Sequence, residues 1–166
     1  HKEKTDLKDH KNTIIERQVD YGLLITLFYN TKNEILSDNK LRKALTYSLP
    51  DTFEHGQRNY LPYSPTSIYF NQDIADKNQD LSHAKLLIDA TFNNSSESAK
   101  RVLTLKTLMR YRSIADQIAT IWKKLGLNIK VEEVDTRPDV FEIYLGDLSI
   151  PKDPDQYELC HSKSEF

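Results

Sequence analysis

The sequence predicts an α/β fold, and three observations carry that expectation. Residues 21–31 (YGLLITLFYNT) are rich in β-branched and aromatic side chains and read as a buried strand. Residues 111–125 set Ile114, Ile118, Ile121, Trp122 and Leu125 on one face at helical spacing, the clearest helix in the chain. That helix lies between strand patterns at 101–108 and 128–134, the second with Ile129 and Val131 on one face. Strand, helix and strand joined by short links make a parallel pair with a right-handed crossover.

The remaining elements follow in order. Residues 1–18 are polar, with an Ile14-Ile15 pair, and read as a lead-in. Ser37 or Asp38 caps a helix by accepting a hydrogen bond from a free first-turn N–H, and Leu41, Ala44, Leu45 and Ser48 share its inner face. Pro50 ends it, because a residue before proline is pushed out of helical geometry. Residues 51–78 are a long irregular stretch with Pro62 and Pro65, and a loop of that length is usually functional or packed against a partner. Residues 80–91 form a short helix capped by Asp80 or Ser82, with Ala84, Leu87, Ile88 and Thr91 inward. Residues 93–100 (NNSSESAK) are a polar loop. Gly126 stands where the long helix wants a left-handed C-terminal cap. Residues 140–145 are a strand candidate, and 146–155 (GDLSIPKDPD) are turn-rich.

Composition narrows the function classes. A chain of 166 residues supports one domain with a core of its own. With 38% hydrophobic and 29% charged residues it is polar but not disordered. A net charge of -2, with Lys and Arg spread along the chain, gives no field to draw nucleic acid or anionic membrane, and no nucleic-acid partner is expected. The longest apolar run, Leu23–Tyr29, is too short to span a bilayer. The 4 glycines have no spacing for a phosphate-cradling loop, which argues against nucleotide binding. The single cysteine, Cys160, excludes an internal disulfide. The numbering opens at His1 with no signal peptide, so the chain is expected to be a piece of a longer protein.

Several segments, read in order, resemble the bacterial extracellular solute-binding proteins of family 5, which serve peptide and nickel importers. Tyr29-Asn30-Thr31, then Ser37-Asp38 and Leu41-Arg42-Lys43-Ala44-Leu45, resemble the family's aromatic-Asn-Thr strand end and Arg-x-Ala-Leu helix. Leu61-Pro62 through Ser64-Pro65, followed by Asp80, Ala84, Leu86 and Leu87, resemble its proline-rich loop and the helix after it. Residues 103–134 and 146–155, the latter with Asp153-Pro154-Asp155, complete the match.

The resemblance implies a periplasmic-binding-protein-like lobe, a mixed sheet flanked by helices. It implies that residues 1–166 are a single domain, the incomplete C-terminal lobe of a two-lobe protein. Such a lobe would bind an oligopeptide or other small solute against a missing N-terminal lobe and present it to an ABC transporter permease. The setting would be extracytoplasmic, in the periplasm or as a cell-surface lipoprotein. The matched stretch puts Gly146, Asp147, Leu148, Ser149, Ile150 and Asp153 along the ligand. Gly146 and Leu148 would contribute main-chain contacts, as an added strand would require.

Three departures bear on the ligand. Peptide binders of the family place an Asp at the position of Ile150, to pair with the ligand's α-amino group. A buried ammonium without a counter-charge is costly. So either a free amino terminus is not held here, or Asp147 substitutes. Asp147 itself stands where the family has an aromatic. Residues 135–139 (DTRPD) replace a helical connection. Strands joined that tightly are expected to pair as a hairpin, unless one is not a strand. The expectation is a divergent member with altered ligand choice or none.

Other residues have plainer readings. Asp153, Pro154 and Asp155 suit a solvated turn. Arg42 is expected in a structural ion pair with Asp38 one turn back. Trp122 belongs to the core at its helical spacing. Tyr60, Tyr63, Tyr69 and Phe70 would pack against the missing lobe or cover the cleft mouth. Cys160-His161 lacks the geometry and the third residue of a nucleophilic set. His1, His10, His55, His83 and His161 show no metal-ligand spacing, and neither a metal nor a cofactor is expected. Two further function classes stand beside transport. One is a sensor domain reusing the fold, for example attached to a transcriptional regulator. The other is a small α/β enzyme, for which no convergent acid, base or nucleophile is visible, so none is expected.

Overall fold

Leucines together with β-branched and aromatic residues form β1 (Leu23–Tyr29), one edge of a four-stranded sheet in this computed structural model. The structure describes residues 14, 20–53, 56–61, 63, 67–71, 73, 78–92 and 101–150. The other strands of the sheet are β4 (Val102–Leu108), β5 (Asn128–Val134) and β6 (Ile143–Ser149). Their order is β1-β6-β4-β5. β1 runs antiparallel to β6, whereas β6 and β5 both run parallel to β4. The sheet is mixed, as the sequence implies. A small second ladder, β2 (Thr52–Phe53) with β3 (Gly56–Gln57), lies within the stretch read as irregular.

The helices are α1 (Asn39–Tyr47), α2 (Leu81–Thr91) and α3 (Arg112–Lys124), with a 3-10 turn, Met109–Tyr111, leading into α3. Asp38 Oδ1 caps α1 at the Lys40 amide, 2.7 Å away, and Asp80 Oδ1 caps α2 at the His83 amide, 2.8 Å away. At the other end of α3, Gly126 takes φ 95. The Gly126 amide donates to Lys123 and the Leu127 amide to Trp122, which closes the helix with two carbonyls satisfied.

One face of the sheet and the inner faces of the helices make the core. Leu103, Leu105 and Thr107 of β4 alternate inward, as do Ile143 and Leu145 of β6 and Ile129 of β5. From α3 come Ala115, Ile118, Ala119 and Trp122. The two alanines let α3 lie close on the sheet, while Ile114 packs at the edge of the buried stripe and Ile121 is half-buried. Leu41, Ala44, Leu45 and Ser48 are fully buried, so the inner face expected of α1 is the observed one. Trp122 is core as expected. Its Nε1 donates to Ser48 Oγ at 2.9 Å and to the Leu45 carbonyl at 3.3 Å, tying α3 to α1.

The sequence expectations need three corrections. Arg42 makes no ion pair with Asp38. Its Nη1 donates to the carbonyls of Leu36 and Ser37 at 2.7 and 2.8 Å, because the Asp38 carboxylate is engaged at the helix N-terminus. The last strand is Ile143–Ser149, not 140–145, so Gly146 to Ser149 are strand and not turn. Seven residue pairs with β1 outweigh the turn preference of Gly146 and Asp147. β5 and β6 form no hairpin either. Both are strands, parallel, and separated by β4.

A staggered register makes that possible with a short link. β5 ends level with Leu108, whereas β6 starts opposite Leu105. The chain therefore crosses two strand spacings, about 10 Å, and steps back about 10 Å along β4. Residues 135–142 cover this without a helix, since each extended residue reaches about 3.3 Å. Where β6 has not yet begun, the Glu142 side chain takes its place. Glu142 Oε2 accepts from the Thr104 amide at 2.6 Å, and Oε1 accepts from Asn33 Nδ2 at 3.0 Å.

Two outcomes follow. Trp122→Ala empties the contact between α1, α3 and the sheet, and should cost about 3–5 kcal/mol of unfolding free energy in denaturant titrations. The Tyr29 hydroxyl is buried beside Thr46 without a well-formed hydrogen bond among the described residues. Burial pushes its pKa up to about 12, against smaller opposing effects of Thr46 and the Arg58 charge. The neutral phenol is therefore the form that folding favours. Its contribution is whole below pH 10 and is lost as pH rises toward 12, by about 3 kcal/mol. Tyr29→Phe should flatten the fall in thermal midpoint between pH 10 and pH 12, while changing stability at pH 7 by less than about 1 kcal/mol.

Candidate functional site

Crevices of open α/β sheets form beyond the carboxyl ends of their parallel strands. Here β4 and β5 end together at Leu108 and Val134, and a cleft of about 240 Å³ opens at that edge. Phe28 of β1, Leu108, Arg110, Tyr144 and Asp147 line it, with Asp135, Thr136 and Arg137 from the short link. The short connection between β5 and β6 therefore forms one wall of the cleft.

β6 outruns its neighbour. Its pairing with β4 stops at Leu145, whose carbonyl accepts from Thr107 Oγ1 at 3.2 Å. Its pairing with β1 continues to Ser149, and the Ile150 amide then donates to the Gly22 carbonyl at 2.8 Å. Main-chain groups along a strand alternate in direction. Glu142 and Ile150 direct theirs to β1, so Gly146 and Leu148 do too, whereas Asp147 and Ser149 face the side on which β4 has ended. The described residues thus present an open strand edge at Asp147 and Ser149, beside the cleft.

Aromatic rings form the wall on the other face of β6. Tyr144 stacks on Phe28 with centroids 6.0 Å apart and tilts against Phe141 at 5.8 Å. It also folds over Gly146, two residues on and on the same face. A Cβ at Gly146 would lie 2.6 Å from Tyr144 Cζ and 2.7 Å from its hydroxyl. The glycine is required for this close approach, not for an unusual φ.

Two of the charged residues in the cleft pair with each other. Arg110 Nη2 donates to Asp147 Oδ1 at 2.8 Å, and its guanidinium lies 5.1 Å from the Tyr111 ring centroid. The hydrogen bond to Asp147 favours the charged form of Arg110 further. Burial raises the pKa of Tyr144, and the Asp147 carboxylate adds to the effect. Burial likewise raises that of Tyr111. Both phenols are neutral and can donate as well as accept.

Of the residues singled out from sequence, Gly146, Asp147, Leu148, Ser149 and Ile150 lie along the open end of β6. Asp153, like Pro154, Asp155, Cys160 and His161, lies outside the described residues. Tyr63 and Tyr69 meet at 6.2 Å, and Tyr60 donates to Asp51 Oδ1 at 3.0 Å, in a loop apart from the cleft lining. Sequence reasoning missed Arg110, Tyr144 and Phe28. Arg110 had a usable signal, since it follows the end of a parallel strand. Tyr144 had one in its i, i+2 relation to Gly146.

Comparison with known proteins now has geometry to meet. A family model described as bacterial extracellular solute-binding proteins, family 5 Middle, matches residues 2–159. The chain belongs to this family of binding proteins. The oligopeptide-binding protein AppA of Bacillus subtilis (strain 168) is 26% identical, over 81% of this chain and 30% of its own. The substrate-binding protein CtaP of Listeria monocytogenes, 18% identical, superposes with a TM-score of 0.72 over 87% of this chain and 34% of its own. NikZ of Campylobacter jejuni, solved with Ni(L-His), is 17% identical and superposes with a TM-score of 0.67 over 93% of this chain and 35% of its own. The chain spans about a third of the length of these relatives. The two structural likenesses support the periplasmic-binding-protein-like fold.

Gly146→Ala should displace the Tyr144 ring and lower stability by about 1–3 kcal/mol. Combined with Tyr144→Leu, the loss in chemical denaturation should fall well short of the sum of the single effects, because the same clash is relieved by either route.

Proposed function

We propose that the chain is the C-terminal lobe of a two-lobe solute-binding protein, and that an extended peptide or similar solute lies along the open edge of β6. The observation that carries this reading is the unpaired edge at Asp147 and Ser149 beside the cleft. Main-chain pairing there would give affinity without side-chain preference, and the aromatic wall would hold a ligand side chain. Family membership supports the rest. Closure against the N-terminal lobe would enclose the ligand and present it to an ABC transporter permease in an extracytoplasmic setting. On this reading the protein catalyses nothing, and Gly146, Leu148 and Ile150 act by shaping and flanking the strand. Transport is favoured over a sensor role because the matching family is one of solute-binding proteins.

Ser149→Pro removes the amide that faces the open side while leaving the alternate groups that face β1. In the full-length protein this substitution should weaken binding of a short peptide about tenfold in calorimetry, the scale of one lost hydrogen bond in a closed site. The thermal midpoint should change little compared with Leu148→Pro, which breaks the β1 ladder. Unchanged peptide affinity in Ser149→Pro would remove the strand-addition reading.

A further inference from the structure

The carboxylate nearest the open edge already has a cation. Arg110 Nη2 lies 2.8 Å from Asp147 Oδ1, and the side chains keep 58% and 24% of their exposure. Arg110 is held at a second point by the Tyr111 ring. It reaches Asp147 from the 3-10 turn just past the end of β4, so it crosses the place where a ligand would approach the Asp147 end of the edge. Position 150, three residues further and partly buried, is aliphatic and offers no second carboxylate. Across the cleft, Asp135 and Arg137 on the link bring one charge of each sign.

We infer that Arg110 and Asp147 form a built-in ion pair that sets ligand choice: the cleft takes a peptide-like ligand whose group beside Asp147 is uncharged, such as a blocked terminus or an internal segment, and disfavours a free ammonium there. The inference rests on the strand-addition reading above and names its ligand class. An ammonium arriving at Asp147 has to displace a guanidinium tethered to the same chain, whose effective concentration is about millimolar or higher. Displacement leaves the guanidinium beside the incoming cation, with no further carboxylate to take it at position 150. The ammonium also loses water on entering the closed cleft, and a carboxylate that is already paired does not offset that cost. A neutral amide or acetyl group leaves the pair intact and meets the Tyr144 side of the cleft.

The test compares two pentaalanine peptides, one with a free amino terminus and one N-acetylated, by calorimetry on the full-length protein. The readout is the ratio of the two dissociation constants, which cancels general effects on folding. The wild type should bind the acetylated peptide at least as tightly as the free one. Arg110→Met bares Asp147 and should shift the ratio tenfold or more toward the free amine. Adding Asp147→Asn to that variant should return it. A ratio unmoved by Arg110→Met, or a wild type that prefers the free amine more than tenfold, overturns the inference and leaves the strand-addition reading standing. If neither peptide binds the wild type or the variants, strand addition itself falls and the inference goes with it.

Discussion

The register of β6 against β4 is the constraint on which the rest depends. Because Ile143 sits opposite Leu105 and not opposite Val102, β6 starts late and finishes beyond its neighbour. The late start leaves the Thr104 amide without a main-chain partner, and the Glu142 carboxylate supplies one. The late finish leaves Asp147 and Ser149 with an edge toward the cleft. The same stagger lets a short link carry the chain past β4, and that link walls the cleft with Asp135, Thr136 and Arg137. One offset of three residues thus decides the topology, the cleft and its open strand together.

Sequence patterns showed what depends on periodicity and local chemistry. α3, its glycine cap and its tryptophan could be read because a helix repeats its buried face every three or four residues, and because a left-handed cap favours glycine. β5 was legible to the residue, and each cap to one of two candidates, with Asp38 and not Ser37, and Asp80 and not Ser82, as the cap. What depends on pairing across the chain was not. β6 was placed three residues early because Gly146 and Asp147 carry turn chemistry, and only the β1 partner more than a hundred residues away overrides it. The hairpin expected between β5 and β6 assumed that a short link joins neighbours. Nothing local to residues 135–142 reveals that β4 lies between them.

The site divides along the same line. The stretch from Gly146 to Ile150 was singled out through its resemblance to a family pattern, and it lies at the end of β6, but the direction of each main-chain group could not be read. That direction follows from parity against β1, fixed by the Asn30–Glu142 and Gly22–Ile150 hydrogen bonds at either end of the ladder. Arg110 was invisible as a partner of Asp147, since 37 residues separate them and neither has a motif of its own.

The residues of the cleft are coupled. Asp147 follows Gly146, and Tyr144, two residues before the glycine, supplies the ring of the wall. The ring of Tyr144 in this position needs hydrogen at 146, because a Cβ there would overlap it at 2.6 Å from Cζ, well inside van der Waals contact. With the ring on one face, alternation puts residue 147 on the other, within reach of Arg110. The charge at 147 has its counter-charge at 110 and the position at 150 is aliphatic. An acid paired within the chain makes a different site from one that leaves its acid for a ligand. The edge of β6 is open at Asp147, while the carboxylate beside it already has its cation.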